Sequence, residues 1–169
     1  MENNHIVQLA EAFCEKHKVN EFPVNVISIC NKLGISVFEQ HLPPAVSGFI
    51  VVQEEPFRDF GTGSLIVVNA ADSPGRKRFT IAHELAHFEL HREEGALFAH
   101  RDAGQNGGIE TEANIFASNL LMPEALVRKF LSIFDDIPDD YRIQDVSRAF
   151  AVSKEAALVR LSQLGLIGG

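Results

Sequence analysis

Apolar residues recur at helical spacing from the start of the chain. Ile6, Leu9, Ala10, Phe13 and Cys14 share one face of a helix predicted from about residue 5 to His17. A second helix opens after Pro23, carries Val26, Ile27, Ile29, Cys30 and Leu33, and stops at Gly34. The period then shortens to two. Residues 35–38, Gly48–Val52 and Ser64–Asn69 read as strands. Leu42, Pro43 and Pro44 mark a turn, and the polar stretch 53–63 reads as a hairpin connection. This pattern predicts a small antiparallel sheet of three strands with residues 65–69 on its exposed edge.

Helical spacing returns at residue 73. Ser73 and Pro74 form a start signal, Ile81, Ala82, Leu85, Ala86 and Phe88 form a buried face, and Gly95 is a plausible stop. An irregular loop follows at 93–108. A third helix is expected over 109–121, with Ala113, Phe116, Ala117 and Leu120 inward. Met122 and Pro123 break it, and a fourth helix runs over 123–134. Residues 135–140 read as an acidic linker. Two last helices, 143–150 and 154–164, resemble a helix-turn-helix, with Ser153 as the N-cap of the second. The expected class is α+β. Residues 1–134 are expected to form the main domain, and 135–169 a helical part packed on it.

Composition narrows the function. With 169 residues, 46% of them hydrophobic, the chain can bury a real core. A net charge of −8 argues against a nucleic-acid surface. The last helix adds only Lys154 and Arg160, against Glu155, so direct DNA contact is not expected. No apolar run approaches the roughly 20 residues of a membrane span. The polar first residues do not read as a signal peptide. Cys14 and Cys30 lack metal-ligand or redox spacing and read as small core residues. A cytoplasmic protein without membrane contact is the expectation.

The chemistry concentrates in the helix predicted after Pro74. Its residues 83–87 read His-Glu-Leu-Ala-His. Residues four apart on an α-helix lie about 40° apart around the axis, so His83 and His87 can reach one metal ion. Glu84, about 100° from His83, sits beside that ion rather than on it. This is the zincin arrangement, with two imidazole ligands and a glutamate as general base. In such enzymes a substrate backbone pairs with the exposed edge strand above the metal helix.

A catalytic site of this kind takes three protein ligands and leaves one position open. A third histidine ten residues after His83 would complete the metzincin pattern, but that position is Glu93. A glutamate from the third helix is the alternative. Glu110 lies roughly 70° from the centre of that helix's buried face, and Glu112 roughly 90° on the other side. Helical phase slightly favours Glu110 and leaves Glu112, Asp102 and Glu93 open. Asn114 can hold the Glu110 carboxylate or a ligand histidine in place. His91, one turn beyond His87, reads as a helix cap or a support for the ligands; as a fourth ligand it would close the site. His100 is a possible oxyanion donor, and Tyr141 carries no support for a catalytic role. Two histidines and a carboxylate suit zinc, with manganese also possible.

Residues 78–87 (Arg-Phe-Thr-Ile-Ala-His-Glu-Leu-Ala-His), 112–117 (Glu-Ala-Asn-Ile-Phe-Ala) and 120–123 (Leu-Leu-Met-Pro) together resemble the ImmA/IrrE family of bacterial metallopeptidases. The resemblance extends from about Pro23 to the end, through residues 152–161 and 164–167. It implies a zincin-like core with a helix-turn-helix-like part, metal on His83, His87 and a third-helix glutamate, and a catalytic Glu84. Counted back from residues 120–123, the family's ligand position falls on Glu110. It further implies a protein substrate, a helix-turn-helix repressor of a mobile element or stress regulon. The alternative is a metal-stabilised toxin- or antitoxin-type binding module with little peptidase activity. The oligomeric state is not implied.

Overall fold

The computed structural model describes residues 2–53, 55–59, 61–91, 107–133 and 137–168. Helices α1 (Glu2–Lys16) and α2 (Val26–Lys32) precede strands β1 (Ile35–Gln40), β2 (Gly48–Val52) and β3 (Ser64–Asn69). Five helices follow: α3 (Pro74–His91), α4 (Gly107–Leu121), α5 (Glu124–Leu131), α6 (Asp139–Phe150) and α7 (Lys154–Gln163). The class is α+β, as the pattern predicted.

The sheet differs from the expectation in two ways. Its order is β1-β3-β2, with β1 parallel and β2 antiparallel to β3. It is therefore mixed rather than antiparallel, and residues 65–69 form the central strand rather than an edge. The reason lies in burial. Leu65, Ile66, Val68 and Asn69 are all buried, so β3 is covered on both faces. In β1 only Ile35 is buried, and in β2 only Ile50. The chain lays down β1, passes to the far position for β2, and returns through 53–63 into the gap. The outer strands are thus β1 and β2.

The connection between β1 and β2 is held by one buried side chain. Asn69, at the end of β3, is 2% exposed. Its Nδ2 donates to the carbonyls of Val46 (2.9 Å), Leu42 (3.2 Å) and Pro43 (3.4 Å). Its Oδ1 accepts from the backbone N–H of Ala71 (3.1 Å) and Leu42 (3.4 Å). One side chain thus gathers three carbonyls of a partly exposed turn.

Two apolar clusters fill the interior. The larger joins α1–α4 and the sheet, and brings Phe13 edge-on to Phe116 at 5.3 Å between ring centroids. Ala82 and Ala86 of α3, and Ala113 and Ala117 of α4, are fully buried, and these small residues let the two packed helices approach closely. The second cluster joins Met122 and residues of α5, α6 and α7, with Phe22 stacked on Phe150 at 4.7 Å. Val19 and Val152 touch both clusters.

The helix ends follow their caps. Ser153 accepts from the Ala156 N–H at 3.1 Å, as expected of the N-cap of α7. Ala151, in the left-handed region with φ 51°, ends α6. The acidic stretch expected as linker gives up Asp139 and Asp140 to the first turn of α6, where carboxylates are favoured. Gly107 and Gly108, expected in a loop, form the first turn of α4. Glu93, Gly95, His100 and Asp102 lie outside the described residues.

Candidate metal centre

The centre is built on two packed helices. On α3 the spacing of four brings His83 and His87 together, with Nε2 atoms 3.0 Å apart. On α4 the carboxylate of Glu110 reaches both: Oε2 lies 3.1 Å from His83 Nε2, and Oε1 lies 3.3 Å from His87 Nε2. Among the described residues these three form the one group of histidine, cysteine or acidic side chains clustered closely enough to hold a metal ion. Glu110, which helical phase had slightly favoured over Glu112, is the carboxylate that converges with the histidines. Glu112 turns instead to His91, with Oε2 at 2.9 Å from His91 Nε2. His91 in turn faces His87, Nδ1 to Nδ1 at 3.1 Å, on the side away from the convergent nitrogens.

The donor chemistry fits a divalent ion. Metal–nitrogen and metal–oxygen bonds near 2.0–2.2 Å at tetrahedral angles separate ligand atoms by about 3.3 Å. The two histidine Nε2 atoms are 3.0 Å apart, and each has a different Glu110 oxygen near that spacing, Oε2 at 3.1 Å from His83 and Oε1 at 3.3 Å from His87. His83 Nδ1 lies 3.0 Å from Asn114 Oδ1, one turn along α4 from Glu110. With Nε2 as the ligand atom, Nδ1 carries the proton and donates it to that oxygen. The side-chain exposure rises from 2% at His87 through 15% at His83 to 43% at Glu110, so the centre opens to one side.

That side is a cleft of about 410 Å³. Its wall includes His83, Glu84, Glu110 and Asn114, with Phe79 and Arg76 one and two turns back along α3. Glu84 is buried beside the histidines, 7% exposed. The opposite wall is Ala45, Val46, Ser47 and Gly48, the connection that Asn69 holds and the first residue of β2. The strand bordering the cleft is therefore β2. Arg76 bridges the walls: Nη2 and Nε donate to Ser47 Oγ at 2.7 and 3.0 Å, and Nε also pairs with Asp72 at 3.2 Å. Gly48 is required by space. A Cβ there would lie 2.6 Å from both Thr80 Cγ2 and the Val67 carbonyl oxygen.

Other sequence candidates fall elsewhere. Tyr141 is exposed on α6 and does not line the cleft. Cys14 and Cys30 are buried free thiols, and loss of solvation pushes both up to about 12. Arg160 is also buried, with Nε donating to the Met122 carbonyl at 3.0 Å. Asn69 and Arg76 shape the cleft, yet no spacing rule singles them out; their partners lie far off in sequence.

A partly buried two-histidine, one-carboxylate centre on an α+β scaffold, opening into a cleft beside an outer strand, defines a class of metal-centred proteins. The comparisons narrow it. Residues 30–162 match peptidase M78, the family described as the IrrE N-terminal-like domain. The chain belongs to that family. It is 32% identical over 104 residues to the radiation response metalloprotease IrrE of Deinococcus radiodurans, covering 59% of this chain and 31% of the relative. The IrrE of Deinococcus deserti gives 32% over 103 residues, 59% of this chain and 36% of the relative. The matches thus cover about a third of the length of these relatives. A structure titled Mycobacterium tuberculosis transcriptional regulator superposes with a TM-score of 0.64 over 95% of this chain and 48% of that one. At 21% identity it speaks for the fold alone.

Proposed function

We propose that this chain is a metal-dependent endopeptidase of zincin type, with a metal on His83, His87 and Glu110 and Glu84 as general base. The observation that carries the reading is the convergence of three donor atoms within 4.8 Å of one another, with Glu84 beside them on the cleft wall. Zinc suits this donor set, and manganese is the alternative. When bound, the ion polarises the scissile carbonyl and acidifies the attacking water. Glu84 takes the proton from that water and hands it to the leaving amine. Asn114 holds the His83 ring in its ligating tautomer. A substrate backbone lies along β2, where strand addition supplies main-chain hydrogen bonds.

The substrate class follows the family resemblance: a helix-turn-helix transcriptional repressor. The C-terminal helices α6 and α7 pack on each other, which supports the helix-turn-helix-like reading, but Arg160 is turned inward, so α7 offers Lys154 against Glu155. This supports a packing or protein-contact role for the C-terminal part, with no direct contact to nucleic acid. We take the division at residues 134 and 135 in the same spirit, as a peptidase core carrying a helical part. No helix among the described residues is long and apolar enough to cross a membrane.

The test is incubation with the repressor encoded beside the protein's own gene. A single cut that needs added zinc is expected. Glu84→Gln keeps size and polarity but removes the proton acceptor, so the cut should slow by about 10²–10⁴-fold with metal still bound. Wild-type cleavage by Glu84→Gln would remove Glu84 from the mechanism. Metal-dependent stability without any cleavage by wild type would favour the binding-module alternative.

A further inference from the structure

We propose that His91 and Glu112 are positioning residues for His87, fixing the tautomer that presents its Nε2 to the metal. The inference rests on the metal-site reading above. It starts from a contact that imidazoles make only under a constraint. His87 and His91 face each other Nδ1 to Nδ1 at 3.1 Å, both nearly fully buried. A neutral imidazole has one N–H and one bare nitrogen, so a single hydrogen belongs between the two rings. Which ring supplies it decides whether His87 can bind metal.

Glu112 settles the question. Its carboxylate accepts only, and it lies 2.9 Å from His91 Nε2, so that nitrogen carries a hydrogen. His91 Nδ1 is then bare. The hydrogen between the rings comes from His87 Nδ1, which leaves His87 Nε2 bare and directed at Glu110 and His83. The three groups form a one-way chain: His87 donates to His91, and His91 donates to Glu112. Reversing it would put a hydrogen on His87 Nε2, inside the donor set. His83 reaches the same end through a direct bond to Asn114. Helix α4 therefore supplies one ligand, Glu110, and the two acceptors that orient both histidines of α3. His91, one turn along α3, links the His87 ring to Glu112.

The experiment uses the full chain and zinc as the probe. Zinc affinity is measured by competition with a chromogenic chelator in wild type, Glu112→Gln, Glu112→Ala and His91→Phe. Loss of an outer partner of a ligand histidine typically costs about 10–100-fold in affinity. We expect Glu112→Ala and His91→Phe in that range, with Glu112→Gln between them and wild type because its amide oxygen can still accept. The second readout is independent of activity. Long-range proton–nitrogen NMR of the zinc-loaded protein reports the tautomers directly. Wild type should show hydrogen on His87 Nδ1 and on His91 Nε2, with His91 Nδ1 bare. Glu112 is partly exposed, so its variants leave the core packing intact if His91→Phe fails to fold. Hydrogen on His91 Nδ1 in zinc-loaded wild type, or wild-type zinc affinity in Glu112→Ala, would overturn the proposal. A failed metal site is a separate result: zinc would not bind wild type at all.

Discussion

Replacing Asn69 with alanine tests how the cleft wall is held. The side chain is 2% exposed and its partners are partly exposed, so water takes over its bonds only in part. Three of its contacts are at 3.2 Å or less: Nδ2 to Val46 and Leu42, and the Ala71 N–H to Oδ1. At about 1 kcal/mol for each buried bond, the loss is about 3 kcal/mol, and at about 2–4 °C per kcal/mol for a chain of this size the melting temperature should fall by about 6–12 °C. The effect on function should be uneven. The metal donors sit on α3 and α4, so zinc affinity should stay near wild type. Ala45, Val46 and Ser47 wall the cleft, so cleavage should fall more than stability at the assay temperature explains. Asn69→Asp is the sharper control: it keeps the acceptors but removes both N–H donors and sets a carboxylate against carbonyl oxygens. Thermal unfolding with and without zinc, beside a cleavage assay, reads all three effects. A melting temperature within 2 °C of wild type in Asn69→Ala, with the cleft fully active, would show that the turn holds itself.

Three further outcomes are expected. His83→Ala, His87→Ala and Glu110→Ala should each lose zinc binding more severely than Glu112→Ala; the reverse order for the two glutamates, read by metal analysis, would move the ligand to Glu112. Burial first, then Lys16, pushes His17 below the ordinary histidine range. The unfolded chain therefore takes up that proton first as pH falls, and stability is lost from about pH 6.5 downward. His17→Phe removes that loss, so its melting temperature relative to wild type should rise between pH 7.5 and 5.5; a flat difference would contradict the shift. Cys14 and Cys30, pushed up to about 12, hold almost no thiolate at pH 8. Iodoacetamide should modify them only after unfolding, and rapid labelling of the native protein followed by mass spectrometry would count against their burial.

What could be read from the chain was local. The spacing of His83 and His87 is a property of one helix, and periodicity alone places both on one face. Gly48–Val52 and Ser64–Asn69 match the strands observed. Their order was another matter. Alternation tells which residues face inward, but not which strand inserts between which, and the burial of β3 on both faces is visible only after the helices cover it. Glu110 against Glu112 was a question of a few tens of degrees around α4, within the uncertainty of where a helix face is centred. His91 could be placed one turn from His87, but its link to Glu112 joins two helices and leaves no spacing signature. Arg160 shows the same limit in the opposite direction. A cation on the second helix of a helix pair invites a DNA-facing reading, and only the packing of α7 on Met122 shows it pointing inward.

Gly48 has a consequence for how this cleft can change. The missing side chain is what lets β2 lie against Thr80, so the gap between outer strand and histidine helix has no lateral slack. Any substitution there pushes strand from helix before it touches a substrate. Selectivity in this scaffold must therefore diversify at positions with room to vary, the exposed Ala45 among them, while position 48 stays silent. A saturation library across the cleft should return active variants at 45 and almost none at 48, which makes that glycine a fixed point for redesign rather than a handle.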